Sequence, residues 1–140
     1  MYWSDKYVGK KWSFDVKGGD KYNLCLPFVL KVLRDEKGFN VTSEEKDKIY
    51  SADARWFEKS QVELIEKARR YGKMIRKIEE LQEWDVIFLK VDGDVRHCGV
   101  MINRTQFLHQ RKSYPAVVDR ITSDRWEDNF YVGIRWLNNG

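Results

Sequence analysis

The spacing of apolar residues changes near residue 84, and that change divides the chain. Ahead of it the period is helical. Within residues 22–33, Leu26, Val29, Leu30 and Leu33 recur at intervals of three and four, which predicts a helix entered at Cys25. Pro27 suits the first turn, where a missing N–H costs nothing. The helix should run to about Glu36 and stop at Gly38, a suitable C′ residue. Across residues 42–80, Ile49, Ala52, Trp56 and Phe57, then Val62, Ile65, Ala68, Met74, Ile75 and Ile78, repeat the helical spacing. Thr42 with Glu45 three residues later reads as a capping start. Two helices are expected there, broken near Lys59 and Ser60, with Gly72 marking a further turn. The intervening charges, among them Glu58, Glu63, Lys67 and Arg70, read as a solvated face. Ahead of the first helix, Tyr2, Trp3, Tyr7, Trp12 and Phe14 lead to Gly18 and Gly19. This suggests a short helix or turn around 4–9, then a loop packed over the main helix.

From Trp84 onward the pattern is that of strands. Residues 86–91 are an almost unbroken apolar run, as in a buried strand. Asp92, Gly93 and Asp94 follow as a hairpin turn. Residues 96–102, 105–110 and 116–120 read as further strands, Trp126 lies near a short turn or helix, and 131–136 is the last strand. Helices first and an antiparallel meander afterwards make an α+β fold. N-terminal helices should pack on an antiparallel sheet of about five strands, in one domain over 1–140.

Composition narrows the function classes. With 42% hydrophobic residues in 140, the chain can bury a sizeable core. The net charge of +4, from 26 basic and 22 acidic residues, is spread out. With no recognisable module, that gives no case for nucleic acid. Two cysteines make neither a disulfide framework nor a zinc site, and no cofactor or metal is expected. No apolar run reaches signal-peptide or membrane-span length. The expectation is therefore cytosolic synthesis without a membrane partner, which also argues against a disulfide between Cys25 and Cys98.

The candidate chemistry lies in three residues. Cys25 at a helix N-terminus meets unpaired N–H groups and the positive end of the macrodipole, which favour a thiolate and supply an oxyanion donor. Alternation along 96–102 puts His97, Gly99 and Met101 on one face and Cys98, Val100 and Ile102 on the other. His109, the second of only two histidines, falls on the neighbouring strand. A cysteine beside two adjacent histidines is the pattern of nucleophile, base and orienting residue. A small buried cysteine and two structural histidines remain the competing reading.

The order of these motifs resembles the NlpC/P60 family of papain-like cysteine peptidases, especially its short phage-encoded forms. Three blocks carry the resemblance. The first runs from Tyr7, Gly9 and Trp12 through Gly18 and Gly19 to Tyr22, Cys25 and Phe28. The second is Leu81, Gln82, Glu83, Trp84, Asp85, Val86, Ile87 and Phe88. The third runs from Arg96, His97 and Gly99 to Phe107, Leu108 and His109. The resemblance implies Cys25 as nucleophile, His97 as base and His109 as orienting residue, cleaving amide bonds in peptidoglycan stem peptides. It departs from the family where Leu24, Leu26 and Pro27 flank the cysteine. Trp84 stands where a glycine usually precedes the aspartate of the strand entry. Trp12 replaces a lead-in tyrosine tied to the oxyanion site, a role for which Tyr22 is the candidate substitute.

The altered residues around Cys25 motivate one alternative, an impaired assembly protein on the same fold; another is an amidase or acyltransferase using the same Cys–His pair. Delivery by a phage particle or through a lysis pore, with phage tail proteins as partners, would bring a protein made without a secretion signal to the cell wall.

Overall fold

The computed structural model describes residues 2–12, 14–15, 21–22, 25–39, 65–66, 72–111 and 114–136. A 3₁₀ turn, Trp3–Lys6, opens the chain. A two-stranded ribbon follows, β1 (Phe14–Asp15) with β2 (Lys21–Tyr22), and leads to α1 (Cys25–Lys37). The main sheet comprises β3 (Gly72–Ile75), β4 (Val86–Val91), β5 (Asp94–Met101), β6 (Gln106–His109), β7 (Val117–Arg120) and β8 (Phe130–Trp136). A single helical turn, α2 (Asp124–Glu127), joins β7 to β8. The strand order is β3-β8-β4-β5-β6-β7, antiparallel throughout. The α+β class expected from the patterning is the one observed.

α1 begins and ends where its residues dictate. Cys25 is its first residue and Pro27 lies in its first turn, which holds no acidic side chain. At the far end Gly38 takes φ +67° and its N–H returns to the Arg34 carbonyl at 3.0 Å. That left-handed cap is nearly free for glycine. Arg34 and Lys37 in the last turn complement the negative end of the macrodipole. The helix buries Leu26, Phe28, Val29, Val32 and Leu33 against Val86, Phe88, Cys98, Val100, Leu108, Val132 and Ile134 of the sheet. Each such side chain contributes roughly 1.5–3 kcal/mol. Leu30, expected in the apolar stripe, sits half-buried at its margin.

The N-terminal aromatics pack over α1 as expected. Tyr7 meets Phe28 edge-on at 6.1 Å, and Lys6 pairs with Glu36 at 2.9 Å. Burial, reinforced by Glu36 and Asp35, pushes the Tyr7 phenol up to about 12.

The opposite face of the sheet has its own core: Ile75, Leu81, Ile87, Leu89, Met101, Phe107, Ile121 and Trp126. Asp85, fully buried at the entry to β4, accepts two hydrogen bonds from the Arg135 guanidinium, both at 2.9 Å. It also accepts one from the Gln82 N–H at 2.8 Å. This pins β8 beside β4.

The sheet has one strand more than expected, because residues read as helical form an edge strand. Met74 and Ile75 lie in β3, which pairs with β8, and Ile78 opens a 3₁₀ turn, Ile78–Glu80. Gly72 starts that strand rather than marking a turn. A Cβ on Gly72 would lie 2.5 Å from the Arg135 carbonyl oxygen and 2.9 Å from Ile134 Cγ2, so only glycine admits β8 this closely. The pull is tertiary. β8 would otherwise present a row of unpaired backbone groups, and pairing them outweighs a short, ambiguous apolar spacing. Ile65 and Glu66 are helical, and Ile65 is buried in the core beneath α1. The rest of the predicted helices over 42–71 and the Gly18–Gly19 approach lie outside the described residues. Strand ends elsewhere differ from expectation by one or two residues.

Candidate active site

Two local irregularities, one in the turn before β5 and one within it, shape the site. The hairpin turn from β4 uses Asp92 (φ +54°) and Gly93 (φ +84°), the two left-handed positions of a type I′ turn. Just beyond it the register slips: Leu89 faces His97 while Lys90 faces Val95, so Arg96 is an extra, bulged residue. Without it Val95 and His97 would share a face. With it Val95 joins the core under α1, and His97 turns to the other face against Trp126.

The bulge is also where α1 meets β5. Cys25 Sγ lies 3.7 Å from the carbonyl oxygen of Arg96, the peptide group joined directly to His97. In a contact of this kind the S–H donates to the carbonyl. Cys25 is buried (8% exposed) at the start of α1, facing the positive end of the helix. Neither cysteine is in a disulfide, and Cys98 points into the core under α1.

The histidines meet as the spacing suggested, and closely. His97 Nε2 and His109 Nδ1 are 2.6 Å apart. His109 does not face His97 directly. The pairing of Val100 with Leu108 continues to set His109 beside Gly99, two residues beyond His97. The contact is therefore diagonal across the strands. Gly99 makes it possible: a Cβ there would lie 2.8 Å from Phe107 Cδ2, 2.9 Å from the Leu108 oxygen and 3.1 Å from His109 Cβ. His97 uses Nε2 for this contact, which leaves Nδ1 as its other proton-accepting position.

Three further residues complete the arrangement, and the sequence reading passed over all of them. Asp119 of β7 takes His109 Nε2 at 2.7 Å. It stands opposite Phe107 and diagonal to His109 on the same face. Trp126 lies over His97 at 5.6 Å, with its ring plane 25° from the imidazole. It meets His109 edge-on at 5.4 Å. Gln110, fully buried, clamps the Trp12 backbone: its oxygen accepts from the Trp12 N–H and its NH₂ donates to the Trp12 carbonyl, both at 2.7 Å. Strands 105–110 and 116–120 were legible, so Asp119 was recoverable as a polar residue on a face shared with Val117. Its alignment with His109 depended on the register of β6 with β7, which no sequence signal gave.

Trp12 therefore sits beside the histidine strand, but its indole N–H donates to the Tyr7 carbonyl at 3.0 Å. Lys31 and Lys10 ammonium groups lie over its ring at 5.0 and 5.5 Å. The backbone of Tyr22 lies in β2, opposite Phe14, and its side chain lies outside the described atoms.

The electrostatics separate the members of the row. Burial drives His109 down to about 4, with His97 and Arg111 acting the same way, against the raising effect of Asp119. His109 is thus a neutral imidazole near pH 7. Asp119 is held below the usual carboxylate range, first by the hydrogen bond from His109 and also by the Trp126 side chain and Arg125 nearby. Among the described residues no cluster of three His, Cys, Asp or Glu side chains has the geometry to hold a metal ion. No helix among them is long and apolar enough to cross a membrane.

A family model of the NlpC/P60 family matches residues 9–135. The chain belongs to the NlpC/P60 family. The match takes in Trp12, α1 and every strand that carries the row of polar groups. NlpC/P60 proteins are in general cysteine peptidases and related hydrolases acting on the peptides of the bacterial cell wall. Comparison with curated proteins gave no match. The six-stranded antiparallel sheet with α1 on one face is this chain's form of the NlpC/P60 fold.

Proposed function

We propose that this NlpC/P60 chain is a cysteine peptidase hydrolysing amide bonds in peptidoglycan stem peptides, with Cys25 as nucleophile, His97 as base and His109 as orienting residue. The observation that carries the proposal is the 2.6 Å contact between His97 Nε2 and His109, next to a thiol that touches the peptide group preceding His97.

His97 Nδ1 takes the Cys25 proton, and the sulfur attacks the scissile carbonyl. Backbone N–H groups at the start of α1 receive the developing oxyanion. The imidazolium returns its proton to the leaving amine, which departs. Water then attacks the thioester with His97 again as base, releasing the acid and the thiol. Trp12, held by Gln110, forms part of the groove wall. Its indole N–H is engaged with Tyr7, so the oxyanion donors are assigned to α1.

The contact of the Cys25 S–H with the Arg96 carbonyl favours the thiol, and it supports the competing assembly-protein reading. That reading predicts Cys25 alkylation no faster than a model thiol. An acyltransferase would give a transferred acyl group in place of a free acid.

Wild type and Cys25→Ala should be incubated with purified peptidoglycan, and the released fragments weighed by mass spectrometry. Cleaved stem peptides from wild type alone are expected, while equal release from both would overturn the mechanism. The cell wall as the place of action, reached on a phage particle or through a lysis pore, belongs to the same proposal. It rests on the likeness to short phage forms, and mass spectrometry of purified virions would test it.

A further inference from the structure

We infer that Asp119 fixes the direction of every hydrogen bond in the row, and thereby decides which nitrogen of His97 is free to act as base. The inference about proton positions stands on the two contacts of the buried His109 ring, taken with its neutral state and an ionised Asp119. Its catalytic consequence rests on the proposed Cys25–His97 chemistry.

The contacts of His109 fix where each proton sits. His109 has no exposed surface and both ring nitrogens are engaged: Nε2 with Asp119 Oδ2 at 2.7 Å and Nδ1 with His97 Nε2 at 2.6 Å. As a neutral ring it carries one N–H. An ionised carboxylate only accepts, so that proton must sit on Nε2 and point at Asp119. Nδ1 of His109 is then a lone pair. The partner at 2.6 Å must donate, so His97 carries its proton on Nε2. A neutral His97 has none left for Nδ1, which becomes the lone pair able to take a thiol proton. One carboxylate thus sets the tautomer of a ring it does not touch. Reversing the row would put a proton on His97 Nδ1 and leave Cys25 without a base.

The charges facing the row act in the same sense. Arg111 and the other histidine oppose a second proton on His109, while Arg125 helps keep Asp119 ionised. The Trp126 side chain acts on Asp119 in the same sense, favouring the ionised carboxylate. Asp119 sits at the outer strand of the sheet with its side chain 45% exposed, so substitutions there leave the core intact. Asp119 is a positioning residue, since it acts on the reacting atoms only through His109.

The test is ¹⁵N NMR of the two histidine rings near neutral pH, in wild type, Asp119→Asn and Asp119→Ala, beside a stem-peptide cleavage assay. Wild type should show both rings protonated on Nε2. Both variants should show His109 divided between tautomers, and kcat should fall by roughly 10- to 100-fold with KM little changed. A wild-type His97 protonated on Nδ1 with Nε2 bare would overturn the inference, as would variants that keep both rings wholly Nε2-protonated. Tautomers that shift while wild type cleaves nothing would uphold the inference and count against the peptidase. Should either variant fold poorly, the wild-type spectrum alone still decides the direction of the row.

Discussion

Burying His109 as a neutral ring should make the protein lose stability steeply between about pH 6.5 and 4, and a single substitution isolates that loss. In the unfolded chain this histidine takes a proton near its ordinary value of 6.5; in the folded protein it does so only at about 4. Above pH 6.5 both states are neutral and the group contributes no pH dependence. As pH falls below 6.5 the unfolded chain binds a proton that the folded state refuses, so stability declines. The decline ends near pH 4, where the folded state binds it too. A shift of this size corresponds to about 3 kcal/mol, at 1.36 kcal/mol per pH unit. Asp119 works in a lower window. Its depressed value gives stability that is present above the ordinary aspartate range and lost only below it, so the two effects separate on the pH axis. Urea unfolding followed by tryptophan fluorescence, in steps from about pH 7 to 4, would compare wild type with His109→Asn. Both proteins share every other titrating group, so the difference in their slopes reports His109. Wild type should lose about 3 kcal/mol more than the variant across this range. Parallel pH dependences would refute a neutral buried His109, and with it the proton count on which the assignment of the row depends.

Two substitutions test the backbone arrangement around the site. Gly99→Ala would push a methyl group within 3.1 Å of Phe107, the Leu108 oxygen and His109. It should cost about 1–3 kcal/mol by overpacking and reduce stem-peptide cleavage, read by denaturant unfolding and by fragment release; unchanged values of both would contradict the diagonal packing of the histidines. Trp84 has φ +77° and stacks on Trp3 at 4.1 Å, with Lys37 over its ring at 4.7 Å. Both Trp84→Gly and Trp84→Ala lose these contacts, but only glycine relieves the left-handed backbone, so Trp84→Gly should be the more stable of the two by about 1 kcal/mol in thermal unfolding; the reverse order would refute strain at this position.

Trp84 also shows how far the sequence could be read. The resemblance marked it as standing where glycine is usual, and the left-handed backbone now gives the reason. The chain keeps a glycine conformation and holds a tryptophan in it through the Trp3 stack. Residues read from local signals fared well. The start of α1 at Cys25, its stop at Gly38, the Asp92–Gly93 turn and the closeness of His97 to His109 each follow from a few neighbouring residues or a tight turn. β3 was misread because Met74, Ile75 and Ile78 fit either period, and only the open edge of β8 resolves the ambiguity.

By itself, the sequence determined the order of elements, the α+β class, the helix that starts at the cysteine and the two-residue period that sets His97 opposite Cys98. These depend on propensity, capping and turn chemistry acting within a few residues. Tertiary structure decided everything that depends on register. The extra residue at Arg96 turns His97 away from the α1 core and brings its preceding carbonyl to the thiol. The β5–β6 register sets His109 beside Gly99, and the β6–β7 register brings Asp119 to His109. A shift of one residue in either pairing would send these side chains to the other face, and the energy that prevents it comes from two cores packed on opposite sides of the sheet.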